Sequence, residues 1–189
     1  KRSEDGSSIP VPVDPSRDLY GPLLFHQGRF RPVGGYSWLR AKECIAQIIP
    51  ANPVAWFGSY LPAELVVGDP AALDAAVHAI QVCIPHRRVL PVNINKLSVL
   101  RVAPSSIPRR VHALERQRIG NEFIYDLEIT NSEGELLESW EGLRLRAIEA
   151  LLTPIAWPSG LLGPYVERRL EELLEGSDMR IVLQNGGHN

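Results

Sequence analysis

The architecture of this chain follows from one segment, Asp69-Pro70-Ala71-Ala72-Leu73-Asp74-Ala75-Ala76-Val77-His78-Ala79-Ile80-Gln81-Val82-Cys83-Ile84-Pro85. It begins with an aspartate and a proline, which are favoured at the N-cap and at the first position of a helix, and it ends at the next proline. Most residues between these ends are apolar, and the stripe with helical spacing consists of Leu73, Val77, Ile80 and Ile84. A helix that is apolar on nearly every side is predicted to be buried.

Three polar side chains interrupt the apolar surface of this helix. Asp74, His78 and Gln81 are spaced at i, i+4 and i+7, and they therefore share one face. Burying a polar group is costly unless it has a partner or takes part in chemistry. An apolar surround raises the pKa of a carboxyl group, so we predict a raised pKa for Asp74. Gln81 is predicted to be a hydrogen-bonding residue of the helix face.

Composition limits the classes of function that the chain can have. A chain of 189 residues can bury one core, and a net charge of -2 gives no reason to expect nucleic acid or an anionic membrane as a partner. No apolar run reaches the roughly 18 residues of a membrane span. Cys44 and Cys83 are predicted to be reduced core residues of a cytoplasmic protein. Neither the cysteines nor the histidines have metal-ligand spacing, so we expect no metal site. The polar start, Lys1 to Gly6, indicates an excised segment rather than a signal peptide.

The rest of the pattern is mostly β-structure. We predict a first strand at Leu39 to Ile49 and, after the helix, one or two strands at 89–102 and further strands at 110–118, 123–130 and 135–148. Asn131-Ser132-Glu133-Gly134 is predicted to be a hairpin turn, and Gly142 a bulge. A final amphipathic helix is predicted at Pro164 to Glu175. Its charged face is expected to be solvated, or the helix is a spacer between two domains.

One strand, one buried helix and about four antiparallel strands indicate the α+β hot-dog fold, in which a curved antiparallel sheet wraps around one long helix. A helix on an open sheet would keep a polar side, whereas this one is apolar nearly all round. We predict a linker at residues 1–18, the hot-dog domain at 19–157, and an amphipathic helix with an interdomain linker at 158–189.

Several motifs resemble one enzyme family. Asp69 to His78 resembles the helix motif in the C-terminal hot-dog half of polyketide synthase dehydratase domains, which has a Pro, a Leu-Asp pair, and a Gln or His four residues after the Asp. Tyr20-Gly21-Pro22, with the phenylalanines that follow it, resembles the Tyr-Gly-Pro…Phe segment of those domains. Leu90-Pro91 and Trp140 to Arg146 are similar to two of the family's strands. The sequences of Leu24 to Phe30 and of Gly163 to Leu170 are most similar to those of iterative type I synthases of the enediyne kind.

The resemblance implies one half of a double hot-dog enzyme that removes water from 3-hydroxyacyl chains on acyl carrier protein to give 2-enoyl thioesters. In the family, a histidine of the N-terminal half removes the α-proton, and the aspartate of the C-terminal half, here the catalytic residue Asp74, helps the β-hydroxyl to leave. The residues expected to bind substrate are Tyr20, His26, Gly28 and His78. No cofactor is expected to bind directly, because phosphopantetheine on the carrier protein carries the substrate.

Two departures from the family pattern change this expectation. The His-x-x-x-Gly-x-x-x-x-Pro motif is absent, since the fourth residue after His26 is Phe30. The Leu-Pro-Phe-x-Trp strand has Val92 and Ile94 in place of its aromatic residues, which changes the shape expected of the acyl tunnel. The N-terminal half is therefore expected outside this chain, as a partner beside acyl carrier protein, and the chain alone is expected to be inactive. A lone half exposes the surface that its partner would cover, so we also expect a homodimer or poor solubility.

Other functions remain open from the sequence. The same fold could perform the chemistry of a product-template-like cyclase or isomerase. It could also be a structural or substrate-holding module without catalysis. A free-standing hot-dog thioesterase fits less well, because those enzymes assemble as dimers of complete chains, whereas this chain starts with a linker-like segment.

Overall fold

The computed structural model describes residues 11–50, 56, 60, 61, 65, 67–151, 157–174 and 181. The described part forms one antiparallel sheet of seven strands and two α-helices. The strands are β1 (Val33–Leu39), β2 (Glu43–Ile48), β3 (Arg87–Asn93), β4 (Lys96–Val99), β5 (Arg109–Ile119), β6 (Glu122–Asn131) and β7 (Leu136–Ala150). The helices are α1 (Pro70–His78) and α2 (Ser159–Leu173). The strand order is β1-β2-β5-β6-β7-β3, and β4 also pairs with β7. This curled sheet with its helix confirms the predicted hot-dog fold.

Helix α1 begins where the sequence predicts. The Asp69 carboxylate accepts hydrogen bonds from the amides of Ala71, at 2.8 Å, and Ala72, at 3.4 Å, and Pro70 occupies the first turn. Ala75 and Ala76 are completely buried against the sheet. Small side chains on this face let the helix axis lie close to the curved sheet, so alanines rather than large residues form the contact.

Two expectations for α1 are wrong. The apolar stripe is only partly buried, because Leu73 and Val77 are both of intermediate exposure. The α-helix also ends at His78 instead of continuing to Pro85, and a 3-10 turn follows at Gln81–Cys83.

The Gln81 side chain explains this early end. Its amide nitrogen donates to the carbonyl oxygens of Ile84, at 3.0 Å, and Arg87, at 2.7 Å, and its oxygen accepts from the Val89 amide at 3.2 Å. These three bonds fix the turn that leads into β3. Gln81 is therefore a hydrogen-bonding residue, as predicted, but it acts in the turn rather than on the helix face.

The predicted first strand at Leu39 to Ile49 corresponds to β2, and a further strand, β1, precedes it. β1 ends at Leu39, the chain reverses, and the Arg40 amide donates to the Glu43 carbonyl at 2.8 Å, so that Leu39 pairs with Cys44 in β2. β1 was missed because Gly34 and Gly35 are disfavoured in strands and remove two side chains from the alternating pattern.

The hairpin and the bulge are both confirmed. Asn131 accepts from the amides of Glu133 and Glu135 through its side-chain oxygen, and this closes the turn between β6 and β7. At the bulge, Tyr125 pairs with Leu143 and Leu127 with Trp140, so two residues of β7 lie opposite one residue of β6.

Both ends of the described chain pack on the sheet. Helix α2 starts at Ser159, before the predicted Pro164, and it buries Arg168 completely rather than leaving its charged residues solvated. At the other end, Val13 and Leu19 are buried, and the Val11 amide donates to the Tyr36 carbonyl at 3.1 Å. Part of the predicted linker at 1–18 is thus packed structure, while its residues 1–10 lie outside the described residues, as does most of 175–189. No helix in the described ranges is long and apolar enough to span a bilayer.

Candidate functional site

Three titratable side chains meet at α1, where Asp74 and His26 are partly exposed and His78 is buried. The Asp74 Oδ2 atom lies 3.2 Å from Nε2 of His78 and 3.8 Å from Nε2 of His26. One helical turn brings Asp74 and His78 together, as their i, i+4 spacing predicts. His26 comes from the loop before the 3-10 turn Gly28–Phe30, and its ring centroid lies 4.0 Å from that of His78. The structure therefore brings together three of the residues proposed from the sequence.

Tyr20 lies behind His78. Its hydroxyl is 3.4 Å from Nδ1 of His78 and accepts a hydrogen bond from the Val33 amide at 3.3 Å. The two rings meet edge to face, with centroids 5.7 Å apart. Burial raises the pKa of Tyr20 to about 12, so the phenol stays neutral and can hold the imidazole in one orientation.

Gly28 lies apart from this cluster. It is exposed, and its φ of 58° is in the left-handed region that favours glycine. It belongs to the 3-10 turn Gly28–Phe30, which contacts α1 and follows directly on the loop of His26. Its structural contribution is to shape that loop. On the other side of His26, the exposed ring of Phe25 stacks at a centroid distance of 4.7 Å.

The pKa of Asp74 moves in the direction opposite to the prediction. Partial burial acts to raise this pKa, but the contact with His78 and the positive charges of His78 and His26 outweigh it and hold the pKa below its ordinary value. The side chain is also 38% exposed rather than buried. Asp74 is therefore an ionised carboxylate near neutral pH, paired with imidazoles.

The pKa of His26 is lowered as well. Burial is the larger cause, repulsion from His78 adds to it, and attraction to Asp74 opposes it. Near neutral pH this imidazole is biased toward its neutral form, which can accept a proton or bind a metal ion. The contact between His26 and Asp74 was not anticipated from the sequence, because the two residues belong to separate elements.

The cluster also has the donor atoms of a metal site. His26, Asp74 and His78 each offer one ligand atom, and these atoms all lie within 4.8 Å of one another. The sequence prediction considered spacing along the chain and did not combine the loop histidine with the helical pair. The helical Asp74 and His78, one turn apart, were the available signal.

The sequence matches a family model described as the polyketide synthase dehydratase N-terminal domain, over residues 1–153. The chain belongs to this polyketide synthase dehydratase family. The description names the N-terminal domain, whereas the helix motif around Asp74 resembles the C-terminal half. Comparison with curated proteins gives no match.

Solved dehydratase domains share the fold of this chain. The dehydratase domain of PpsC from Mycobacterium tuberculosis is 19% identical, with a TM-score of 0.55, and the alignment covers 72% of this chain and 52% of that one. CurJ dehydratase is 17% identical, with a TM-score of 0.55 and coverages of 72% and 48%. The dehydratase domain of RzxB from Pseudomonas fluorescens is 16% identical, with a TM-score of 0.51 and coverages of 64% and 42%. The chain thus spans about half of each domain or less.

Proposed function

We propose that this chain is the Asp-bearing half of a polyketide synthase dehydratase that removes water from 3-hydroxyacyl chains on acyl carrier protein. The observation that carries the proposal is the position of Asp74. Its carboxylate is accessible on the outward side of α1, between two imidazoles, while the inward side of the helix is sealed by alanines. A reacting chain that approaches from the outward side can therefore reach Asp74.

The elimination needs a base and a route for one proton. The base removes the α-proton, the electron pair of that bond forms the double bond to the β-carbon, and the C–O bond breaks as the hydroxyl leaves as water. Because Asp74 is ionised, it first accepts a hydrogen bond from the β-hydroxyl and so orients the leaving group. The proton that turns the leaving hydroxyl into water is the one that the base has taken from the α-carbon, so Asp74 orients the leaving group rather than donating from a carboxylic acid of raised pKa.

The catalytic base belongs, in this proposal, to the N-terminal half. Three observations support a split site: the His-x-x-x-Gly-x-x-x-x-Pro motif is absent, the chain spans about half of the related domains, and the motif around Asp74 resembles the C-terminal half. An inactive mutant of CurJ dehydratase carries phenylalanine in place of a histidine, which is consistent with a histidine base in a related domain.

The substrate and partners follow from the same proposal. The acyl chain arrives on phosphopantetheine of acyl carrier protein, and His78, Tyr20, His26 and Gly28 line or shape the place where it binds. The PpsC dehydratase was solved in complex with C12:1-CoA, an acyl thioester of the kind proposed here. The N-terminal hot-dog half is the second partner, and the proposed setting is a cytoplasmic synthase of the enediyne kind.

The proposal is tested with the two halves in one polypeptide, a 3-hydroxyacyl carrier-protein thioester as substrate, and mass spectrometry of the product. Asp74→Asn should lower the rate by about 10²–10⁴-fold, the usual contribution of a positioned acid–base group. Asp126→Asn is a matched control because Asp126 is equally exposed, at 38%, and pairs with Arg116 on the sheet. Full activity in Asp74→Asn would refute the role of Asp74.

The same assay separates the alternative functions. Loss of one water from the bound chain is the result expected of a dehydratase. Ring closure or double-bond migration without that step would indicate a cyclase or isomerase, and an unchanged thioester would indicate a substrate-holding module.

A further inference from the structure

We propose that His26, Asp74 and His78 form a binding site for one transition-metal dication of the Zn²⁺ class. The three residues are defined here as the His-Asp-His cluster. The inference rests on their geometry and holds whether or not Asp74 takes part in dehydration.

The spacing of the donor atoms is close to that of a metal site. Zn²⁺ binds imidazole nitrogen and carboxylate oxygen at about 2.0–2.2 Å, which at tetrahedral angles places ligand atoms roughly 3.3–3.5 Å apart. The Asp74 Oδ2 to His78 Nε2 distance is already 3.2 Å. The Asp74 Oδ2 to His26 Nε2 distance is 3.8 Å, a few tenths of an ångström longer than this spacing, and all three ligand atoms lie within 4.8 Å of one another.

The side chains of the cluster lack other strong partners. His78 is 3% exposed, and its Nε2 atom is buried without a hydrogen bond of good geometry although it points toward Asp74. Within the described ranges, the ion pairs of Asp74 are with imidazoles alone, and none is with a lysine or arginine. A dication would satisfy the His78 nitrogen and the carboxylate together, so binding replaces only the contacts within the cluster and breaks no salt bridge to a lysine or arginine.

A second layer of contacts orients the His78 ring. Its Nδ1 atom lies 3.4 Å from the Tyr20 hydroxyl, which is itself held by the Val33 amide. In the tautomer that binds a metal, Nδ1–H donates to the Tyr20 hydroxyl oxygen and Nε2 carries no proton, which is the usual arrangement of metal-binding histidines. Phe25 stacks on His26 and limits the rotation of the other imidazole.

The donor set selects the class of metal. Two imidazoles and one carboxylate suit Zn²⁺ and similar transition ions, whereas Mg²⁺ and Ca²⁺ prefer sites made only of oxygen ligands. Three protein ligands leave one position open for water or for an oxygen of a bound molecule. The Asp74 side chain is 38% exposed, so solvent reaches the cluster at this residue.

The test is calorimetric titration of the tag-free, metal-free chain with ZnCl₂, repeated with CoCl₂ while visible absorption is recorded. We expect one ion per chain and the absorption of a four-coordinate Co²⁺ centre. His26→Gln and Asp74→Asn should each weaken binding at least tenfold, and Tyr20→Phe by about 10–100-fold, as measured for outer partners of metal ligands. His112→Gln is the matched control, because His112 pairs with the carboxylate of Glu43 at 2.9 Å but belongs to no three-residue ligand group in the described part of the chain.

Two results would overturn the inference: no stoichiometric binding by the wild-type chain, or wild-type affinity in His26→Gln. The His26→Gln variant keeps the test valid if the other variants unfold, because His26 is on a loop. Circular dichroism checks that each variant is folded. Neither result affects the outcome expected in the dehydration assay. Conversely, the chain could bind Zn²⁺ while Asp74→Asn keeps full dehydratase activity in the two-half polypeptide. That combination would refute the proposed function and support the metal site.

Discussion

Replacing Arg168 with methionine tests whether α2 is an integral part of the domain. The guanidinium is completely buried, pairs with the Glu115 carboxylate at 3.1 Å through Nη1, and donates to the Cys83 carbonyl at 3.1 Å and the Tyr125 hydroxyl at 2.9 Å. The Glu115 side chain is only 2% exposed. Arg168→Met would leave this carboxylate buried without its cation.

The expected loss of unfolding free energy is about 3–5 kcal/mol, the cost of breaking a buried ion pair by removing one partner. Arg169→Met is the control on the next residue, because Arg169 is 47% exposed and pairs with Glu172 at the surface. An exposed pair contributes about 0–1 kcal/mol, so this variant should stay near the wild type. Removing both charges, in Arg168→Met with Glu115→Gln, should cost less than Arg168→Met alone.

Urea denaturation followed by circular dichroism measures these differences, provided that the slope of unfolding free energy against urea is unchanged. The reasoning is refuted if Arg168→Met unfolds within about 1 kcal/mol of the wild type. It is also refuted if the double variant is less stable than Arg168→Met, since the buried carboxylate would then not be the source of the loss.

Two further predictions concern the bulge and the acid stability of the site. Gly142→Ala should lower the unfolding free energy by at least about 1–2 kcal/mol in the same urea assay, because φ is 65° and an added Cβ would lie 2.4 Å from Nδ2 of Asn95. Gly35→Ala has no such contact and should be neutral or slightly stabilising, so an equal loss in both would contradict the explanation. The lowered pKa of Asp74 means that its ionised form stabilises the fold above its unfolded pKa of about 3.8, and that this contribution disappears as pH falls through the lower folded value. Asp74→Asn should therefore lose less unfolding free energy than the wild type between about pH 5 and pH 2, and parallel pH curves would contradict the assignment.

Local signals predicted the parts of the fold that depend on local interactions. Asp69 and Pro70 fixed the start of α1, and Asn131 and Gly142 marked the hairpin and the bulge, because caps, turns and bulges are specified by neighbouring residues. The end of α1 was not predictable in this way. It depends on the hydrogen bonds that Gln81 makes to Arg87 and Val89, which exist only once the turn has formed.

In the site, too, the sequence predicted local contacts but not contacts between remote segments. The helical spacing predicted that Asp74 and His78 would meet, and the structure has them at 3.2 Å. The direction of the Asp74 pKa was wrong because the prediction considered burial alone, while the contact with His78 lowers this pKa and His26, from a remote loop, adds to that effect. The packing of α2 was missed for a related reason: a buried arginine such as Arg168 reads as a surface residue until its partner Glu115 is known.

The central claim is that this chain holds half of a dehydratase active site, and one measurement tests it most directly. The chain is incubated with a 3-hydroxyacyl carrier-protein thioester, first alone and then in one polypeptide with the N-terminal hot-dog half, and the 2-enoyl product is measured by mass spectrometry. We expect no dehydration by the chain alone and dehydration when the second half is present. Dehydration by the chain alone would contradict it, and would show that the imidazoles beside Asp74 supply the base within this chain.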